Sequence, residues 1–385
     1  MMEFPLPPAE ALVFSDALKK RVTDRIESQN GWISFADYMA CVLYEPGLGY
    51  YSGGSANLGE SGDFVTAPEM SPLYGHTLAD AVIPLMRQTE PKILELGAGT
   101  GRLARDVLDR FSSSGVTCDC YEILEVSPEL RQRQQAMLGK YRQIGWLDSL
   151  PECFEGVLIA NEVLDAMPVQ LVVRRKTGWY ELGVGYREGR FVFDERPASS
   201  ALADSIAFQI PDSGLLPEGY VTEIHTQACA FIRSLANRLA IGKAGAAIFV
   251  DYGFPRHEYY HPERTAGTLM CHYRHRAHTD PFFLPGLQDI TAHLDFTSLA
   301  RAAAEEELDV LCYTTQANFL IGSGLIGLVQ NLSEKRDDAQ FLLQSQAVQK
   351  LLSPAEMGEV FKVLILGHNI TPPAFMLEID KSGRL

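Results

Sequence analysis

The pattern of apolar and polar positions alternates between short apolar runs and longer stretches with helical spacing. Short apolar runs are typical of buried strands, and strands separated by helices predict a parallel, doubly wound α/β sheet. The predicted helices lie at 9–29, from Ser34 and Asp37 through Val42, at 74–85, after Pro128 and at 220–240. The predicted strands lie at 93–95, 118–126, 144–147, 156–160 and 246–250, with later candidates at 308–313, 361–366 and 374–379.

Three stretches interrupt this alternation. Residues 169–195 alternate apolar and polar positions around turns at 176–178 and 187–189, which predicts an antiparallel meander. The glycine-rich stretch 47–72 is either a mobile surface loop or an active-site loop, and its interleaved aromatics and acids favour the second interpretation. Residues 253–298, rich in His, Pro, Tyr and Arg, are predicted to form a functional loop region.

The chain is expected to contain six segments that follow from these patterns. They are N-terminal helices with the glycine-rich loop (1–78), the first half of the core with the cofactor site (79–168), an antiparallel β insertion (169–219), a core helix and strand (220–252), a substrate-side loop region (253–300), and C-terminal helices with the remaining core strands (301–385).

The sequence ILELGAGTG (93–101) predicts a strand, a tight turn and a helix N-terminus. Gly97, Gly99 and Gly101 let a ligand approach the backbone, and the helix that follows favours an anionic group. Arg102 occupies the sixth position of a GxGxxG pattern, so the dinucleotide fingerprint fails. Glu95 also disfavours a pyrophosphate, since like charges about 4 Å apart cost about 4 kcal/mol at an effective dielectric near 20. S-adenosylmethionine carries a sulfonium, an ammonium and a carboxylate, and is therefore the ligand that suits both the acid and the amides.

Acidic residues near the ends of the next two strands support an adenosyl ligand. Glu125 follows Gly99 by 26 positions (125 − 99) and is suited to accept hydrogen bonds from both ribose hydroxyls, although a solvated surface acid is the alternative. Asp148, beside Trp146, is a candidate acceptor for the adenine amino group, and a helix or turn cap is the equally weighted alternative.

Three polar residues follow the fourth strand. Asn161, Glu162 and Asp165 come directly after a buried run, where the carboxyl ends of parallel strands face a ligand crevice. Two acids three residues apart are expected on one face of a helical turn, where they would hold a guanidinium or act as a base. The alternative is an acidic helix N-terminus that complements the helix dipole.

Composition narrows the class of partner. The chain has 385 residues, of which 46% are apolar, and a formal net charge of −16. An acidic protein binds nucleic acid poorly, so a small ligand or a basic protein partner is expected. The equally weighted alternative is that the negative charge only keeps the protein in solution. Seven cysteines without CxxC spacing predict reduced thiols and no metal site. Neither a membrane-spanning run nor a targeting pattern is evident, which predicts a cytoplasmic location.

Several motifs in order resemble the MidA-type methyltransferase family, over about residues 33–366. The motifs are GDFVTAPEMSPLYG, ILELGAGTG, NEVLDAMPV, VDYG, GTL followed by HYRHR, DITAHLDF, TTQANFLIGSG and MGEVFKVLIL. Mitochondrial members of that family are complex I assembly factors that methylate an arginine of a core subunit. The resemblance implies a Rossmann-like class I methyltransferase with a seven-stranded doubly wound sheet, an N-terminal helical cap and inserted substrate-side elements. It also implies S-adenosyl-L-methionine as donor and a protein arginine as acceptor, with a respiratory complex subunit as one candidate partner.

The resemblance extends to the loops. The loop that carries the first motif is expected to close over the cofactor or the acceptor, and its matching residues are Gly62, Asp63, Phe64, Thr66, Pro68 and Glu69. His293 belongs to a motif with Asp289, Thr291 and Asp295, and is either an acceptor-site residue or a hydrogen-bonded scaffold. Asp251 and Tyr252 are candidate pocket residues. Met270 and Cys271 stand where relatives often have Arg after GTL, so acceptor choice could differ here.

The leading hypothesis is therefore methyl transfer to a protein arginine. A methyltransferase of the same fold acting on a small molecule or another side chain is the first alternative, and a non-catalytic assembly chaperone is the second. Arg102 and Glu95 make a nicotinamide dehydrogenase the least favoured interpretation. The predicted catalytic residues are Glu162, Asp165, Asn161 and His293, and the predicted cofactor residues are Glu95, Gly97, Ala98, Gly99, Gly101, Glu125, Trp146, Asp148 and Asn161.

Overall fold

The computed structural model describes residues 4–53, 66–210, 212–334 and 338–385. The chain divides into two compact units. The first unit is formed within 1–64, 165–229 and 256–298, and the second within 65–164, 230–255 and 299–385. The six predicted segments stay a prediction, and the limit between the two units falls within the first of them.

The described residues form the following regular elements. The strands are β1 (Ile33–Ser34), β2 (Lys92–Leu96), β3 (Cys120–Leu124), β4 (Ile144–Leu147), β5 (Gly156–Asn161), β6 (Gln170–Arg175), β7 (Gly178–Arg187), β8 (Arg190–Pro197), β9 (Val221–Ile224), β10 (Gly245–Phe254), β11 (Met270–Tyr273), β12 (Arg276–His278), β13 (Asp289–Thr291), β14 (Leu294–Asp295), β15 (Asp309–Thr315) and β16 (Phe361–His368). The helices are α1 (Ala9–Ser28), α2 (Phe35–Tyr44), α3 (Ala67–Met70), α4 (Pro72–Met86), α5 (Arg102–Ser113), α6 (Pro128–Leu138), α7 (Ser200–Gln209), α8 (Thr226–Ile241), α9 (Arg256–Tyr259), α10 (Phe296–Ala304), α11 (Gln316–Gly322), α12 (Leu325–Glu334), α13 (Asp338–Leu352) and α14 (Ala374–Ile379).

Seven strands of the second unit lie side by side in the order β15-β16-β10-β5-β2-β3-β4. The neighbours from β10 to β4 pair in parallel, as predicted, whereas β16 runs antiparallel to both β10 and β15. Strand β5 is buried along almost its whole length, which explains its continuous apolar run. Strand order reverses between β2 and β5, and such a switch point opens a ligand crevice at the carboxyl ends of the strands.

The first unit has a separate antiparallel sheet. Its strands follow the order β1-β7-β6-β9, with β8 paired to β7, so the predicted meander is confirmed. A small sheet of β12-β11-β13 lies within the predicted loop region. Helix α2 begins as its capping pattern predicts, because the Ser34 hydroxyl accepts a hydrogen bond from the Asp37 amide at 3.0 Å.

Two element predictions are wrong. Residues 374–379 form helix α14 rather than a strand, and Pro373 precedes it as the N-cap residue. The predicted helix 220–240 begins only at Thr226, and 221–224 form strand β9, which pairs with β6. The β-branched side chains of Val221, Thr222 and Ile224 favour that strand.

Candidate active site

The glycine turn lies between β2 and α5, at the carboxyl edge of the second unit's sheet. Gly97, Gly99 and Gly101 have φ of 59°, 53° and 90°, a left-handed backbone that favours glycine. A Cβ atom on Gly97 would lie 3.2 Å from Cγ2 of Val163, so the turn packs directly against the segment that follows β5. Helix α5 then begins at Arg102 and directs its first amides toward this edge.

Glu95 is buried beneath this turn. Its carboxylate accepts a hydrogen bond from the Tyr121 hydroxyl at 2.7 Å. Burial raises the pKa of Glu95 to about 8, and the Tyr121 hydrogen bond lowers that pKa in part. A cation bound nearby would favour the ionised form of the Glu95 carboxyl. The role of Glu95 beside a cationic ligand stays a prediction. Tyr121 is a partner that the sequence did not indicate.

Glu125, at the end of β3, is held by a buried glutamine. One Glu125 oxygen accepts from the Ser127 amide and the other from Nε2 of Gln134, both at 2.9 Å. The same Nε2 donates to the Gly99 carbonyl at 2.9 Å, and the Gln134 side-chain oxygen accepts from Nε1 of Trp146 at 3.0 Å. Gln134 therefore joins the ends of three neighbouring elements. Sequence reasoning missed it, because in PELRQRQQAML it resembles the other polar residues of an amphipathic helix.

The surface near β4 carries both polar and apolar side chains. The Asp148 side chain is 87% exposed and accepts from Nη1 of Arg131 at 2.5 Å. Trp146 is half-buried, and Val126, directly after Glu125, is 70% exposed. An exposed apolar side chain beside a buried carboxylate suits a ligand with an aromatic ring and hydroxyl groups. Adenine recognition by Asp148 stays a prediction.

The segment after β5 is not helical, which corrects the prediction that Glu162 and Asp165 share a helical turn. Glu162 has a φ of 55°, a left-handed backbone conformation that is uncommon for residues other than glycine. Its amide donates to the Val250 carbonyl at 2.9 Å, so β10 fixes this conformation. Nδ2 of Asn161 donates to Oε1 of Glu162 at 3.0 Å. Strained backbone of this kind is concentrated at functional sites.

Asp251 acts on the backbone of the same segment. It is 1% exposed, and one of its oxygens accepts from the amides of Val163 and Leu164 at 3.2 and 3.0 Å. Its other oxygen accepts from the Tyr252 amide at 2.8 Å. The Tyr252 ring packs on that of Phe361, with centroids 3.9 Å apart. Asp251 therefore fixes the path of the chain beside Glu162.

Glu69 lies in α3 and contacts the glycine turn. Its carboxylate accepts from the Thr100 hydroxyl, and from Nη1 of Arg102 at 3.0 Å. The Arg102 guanidinium also donates to the Glu69 carbonyl at 2.7 Å. Arg102, the residue that breaks the dinucleotide pattern, thus attaches the first loop motif to the turn. Thr66 is the N-cap of α3 and Pro68 lies buried within it, whereas the predicted Gly62, Asp63 and Phe64 lie outside the described residues.

Asp165 and the His293 motif belong to the first unit. Asp165 is buried, and its carbonyl accepts from the Ala292 amide at 3.0 Å. The His293 amide donates to the Thr268 hydroxyl at 3.1 Å. The catalytic roles of Asp165 and His293 stay predictions.

The two acids of the His293 motif, Asp289 and Asp295, both accept hydrogen bonds. Asp289 accepts from the Tyr51 hydroxyl at 2.9 Å. Asp295 is fully buried and accepts from the Thr297 and Ser298 amides at 3.1 and 3.3 Å. Burial raises the pKa of Asp295 to about 6. These contacts indicate that both acids stabilise the local chain.

The GTL motif encloses a buried acid that sequence reasoning missed. Glu223, on β9, is 0% exposed and accepts from the amides of Thr268 and Leu269 at 2.7 and 2.9 Å. A Cβ atom on Gly267 would lie 2.3 Å from the Glu223 carboxylate. The glycine of the motif is therefore required for this contact. Cys271, two residues after Leu269, is buried, and burial raises the pKa of its thiol.

Within the described residues, no helix is long and apolar enough to cross a membrane. The same part of the chain contains no cluster of three or more metal-ligating side chains.

The second unit has the parts that an adenosyl sulfonium ligand requires. The left-handed glycine turn and the helix start offer amides to a carboxylate, and Glu125 and Val126 suit a nucleoside. The binding roles of these residues stay predictions. The sheet order and these residues are those expected of the class of S-adenosyl-L-methionine-dependent methyltransferases.

Comparisons with known proteins support the same class of enzyme. A family model for S-adenosyl-L-methionine-dependent methyltransferases matches residues 77–314. A crystal structure of a Burkholderia thailandensis protein bound to S-adenosyl-homocysteine has a TM-score of 0.93 and 46% identity, covering 100% of both chains. The mitochondrial protein arginine methyltransferase NDUFAF7 of Danio rerio is 30% identical over 90% of this chain and 87% of its own length. Its Homo sapiens counterpart is 29% identical over 87% of this chain and 80% of its own length.

The chain belongs to the MidA-type family of S-adenosyl-L-methionine-dependent methyltransferases. S-adenosyl-L-methionine is its cofactor, as predicted.

Proposed function

We propose that the protein methylates an arginine side chain of a protein partner. The observation that carries the proposal is Glu162. This acid follows β5 at the strand-switch point, its backbone is held in a left-handed conformation, and the next residue, Val163, packs on Gly97 of the glycine turn. An acid fixed beside the cofactor turn suits a cationic acceptor. The arginine class of that acceptor is supported by relatives that are named protein arginine methyltransferases.

The residues around Glu162 suit the handling of a guanidinium. A carboxylate accepts two parallel N–H donors from an arginine, which orients the planar group as well as attracting its charge. Glu162 would thereby hold the guanidinium so that a nitrogen lone pair faces the glycine turn. When bound, the cofactor would supply a methyl group on a sulfonium. The N–CH₃ bond would form as the S–CH₃ bond breaks, S-adenosyl-homocysteine would leave as a neutral thioether, and the methylated nitrogen would release one proton to Glu162 or to water. Alignment by the protein is then the main requirement, worth about 7–11 kcal/mol in well-oriented systems.

Labelling in cell extract tests the acceptor class. The protein is incubated with extract and S-adenosylmethionine that carries a labelled methyl group, and the labelled residue is mapped by mass spectrometry. The proposal predicts a labelled protein band with the label on arginine. Label on another side chain, or only in the small-molecule fraction, would overturn the arginine assignment.

A matched variant controls this experiment. Glu129 is an acid at the first turn of α6 whose carboxylate pairs with Arg133 on the same helix. Glu129→Gln makes the same chemical change as Glu162→Gln at that surface ion pair, and it should label at the wild-type rate. A loss of label in both variants would mean that Glu162→Gln acts through overall charge or folding.

A further inference from the structure

Tyr74, on α4, is buried beside Asn161, whose side chain binds the Glu162 carboxylate. Tyr74 is 1% exposed, and its hydroxyl donates a hydrogen bond to Oδ1 of Asn161. Asn161 in turn donates from Nδ2 to Oε1 of Glu162 at 3.0 Å. A continuous series of hydrogen bonds therefore runs from Tyr74 through Asn161 to Glu162, and all three residues belong to the second unit.

The direction of this series is set by the chemistry of its members. A carboxylate only accepts hydrogen bonds, so Asn161 must present its NH₂ group to Glu162. The Asn161 carbonyl then points the other way and requires a donor. The Tyr74 hydroxyl is that donor, and burial beside Glu162 and Asp251 raises its pKa well above the ordinary value, so it keeps its proton. The alternative amide orientation would set the Asn161 oxygen against the Glu162 carboxylate.

We propose that Tyr74 is a positioning residue for methyl transfer, which acts on Glu162 through the Asn161 side chain. The proposal rests on the function proposed for Glu162. The Tyr74 hydroxyl binds Asn161, so its effect should fall on the acceptor step through Glu162 and leave cofactor binding unchanged. The hydrogen bond from Asn161 orients the Glu162 carboxylate.

The test removes one oxygen atom. Tyr74→Phe keeps the buried ring and deletes the hydroxyl, and Tyr38→Phe is the matched control. Tyr38 is likewise fully buried, and its hydroxyl donates to the Pro281 carbonyl at 2.9 Å within the first unit. Methylation of extract protein is measured with labelled S-adenosylmethionine, cofactor-site integrity by calorimetric titration with S-adenosyl-homocysteine, and folding by the thermal midpoint.

Tyr74→Phe should lower the labelling rate by about tenfold, the factor that corresponds to loss of one hydrogen bond of ordinary strength. Its affinity for S-adenosyl-homocysteine should stay within about twofold of wild type, and its thermal midpoint should match that of Tyr38→Phe. Tyr38→Phe should label at the wild-type rate. Equal rate losses in both variants, or a parallel loss of affinity for S-adenosyl-homocysteine in Tyr74→Phe, would overturn the proposal.

A double variant tests the route of the effect. If Tyr74 acts through Asn161, then Tyr74→Phe should add little to the rate loss of Asn161→Ala. Independent, additive losses would contradict that route. Failure of the proposed function is a separate outcome: it would appear as undiminished labelling in Glu162→Gln, or as label on a residue other than arginine.

Discussion

Gln134 provides the sharpest prediction about the cofactor site. Its side chain makes hydrogen bonds to the Gly99 carbonyl, to Glu125 and to Nε1 of Trp146, at 2.9–3.0 Å. Replacing it by methionine keeps the length and approximate volume of the side chain and removes all three bonds. The variant therefore separates hydrogen bonding from packing.

The expected magnitude follows from those three bonds. At about 1 kcal/mol for each bond, Gln134→Met should destabilise the second unit by about 3 kcal/mol. For units of about 150–250 residues, 1 kcal/mol corresponds to about 2–4 °C, so the thermal midpoint should fall by about 6–12 °C. The loss of the hydrogen bonds from Gln134 to Glu125 and to the Gly99 carbonyl should also weaken S-adenosyl-homocysteine binding by about fivefold, or about 1 kcal/mol.

Scanning calorimetry and titration calorimetry measure these two effects. Gln135→Met is the control, because Gln135 is exposed on the same helix and its replacement should cost less than about 0.5 kcal/mol. The reasoning would be refuted if Gln134→Met and Gln135→Met had the same thermal midpoint and the same affinity for S-adenosyl-homocysteine.

Two further predictions concern Gly267 and Glu95. Gly267 and Gly219 both have a left-handed φ, of 73° and 84°. A Cβ atom would lie 2.3 Å from the Glu223 carboxylate in Gly267→Ala, whereas in Gly219→Ala it would meet no described atom within 4 Å. The thermal midpoint should therefore fall more for Gly267→Ala, by the equivalent of about 2 kcal/mol, and equal shifts would contradict the proposed contact. Glu95 has a pKa of about 8 in the folded protein against an ordinary value of 4.5, so its contribution to stability is present at low pH and is lost as pH rises through about 8. Relative to Glu95→Gln, the wild-type midpoint should fall between about pH 5 and about pH 8, and parallel profiles would contradict the raised pKa.

The parts of the fold that could be predicted are those set by local pattern. Residues 144–147 are a strand at the predicted limits, and the turns at 176–178 and 187–189 join β6, β7 and β8. In each case a short apolar or alternating run ends at a residue that favours a turn. Helix α14 could not be recognised in the same way, because six mostly apolar residues suit a strand or a helix equally.

For the acids of the candidate site, the place in the sheet could be predicted from the sequence, but the local geometry could not. Glu95, Glu125 and Glu162 could be located because each acid follows or ends a buried run. The left-handed backbone of Glu162 could not, because the Val250 carbonyl, 88 positions further along the chain (250 − 162), imposes it. Gln134 could not be recognised for a similar reason, because its partners lie in the glycine turn, directly after β3 and in β4.

The central claim is that the cofactor binds at the glycine turn and Glu162 holds the acceptor. The most direct test compares wild type with Glu162→Gln in two quantities, the affinity for S-adenosyl-homocysteine and the rate of methylation at the mapped residue. We expect an affinity within about twofold of wild type and a rate at least about a hundredfold lower, which is about 2.7 kcal/mol of lost stabilisation. A Glu162→Gln protein that methylates the same residue at a rate close to wild type would contradict the account.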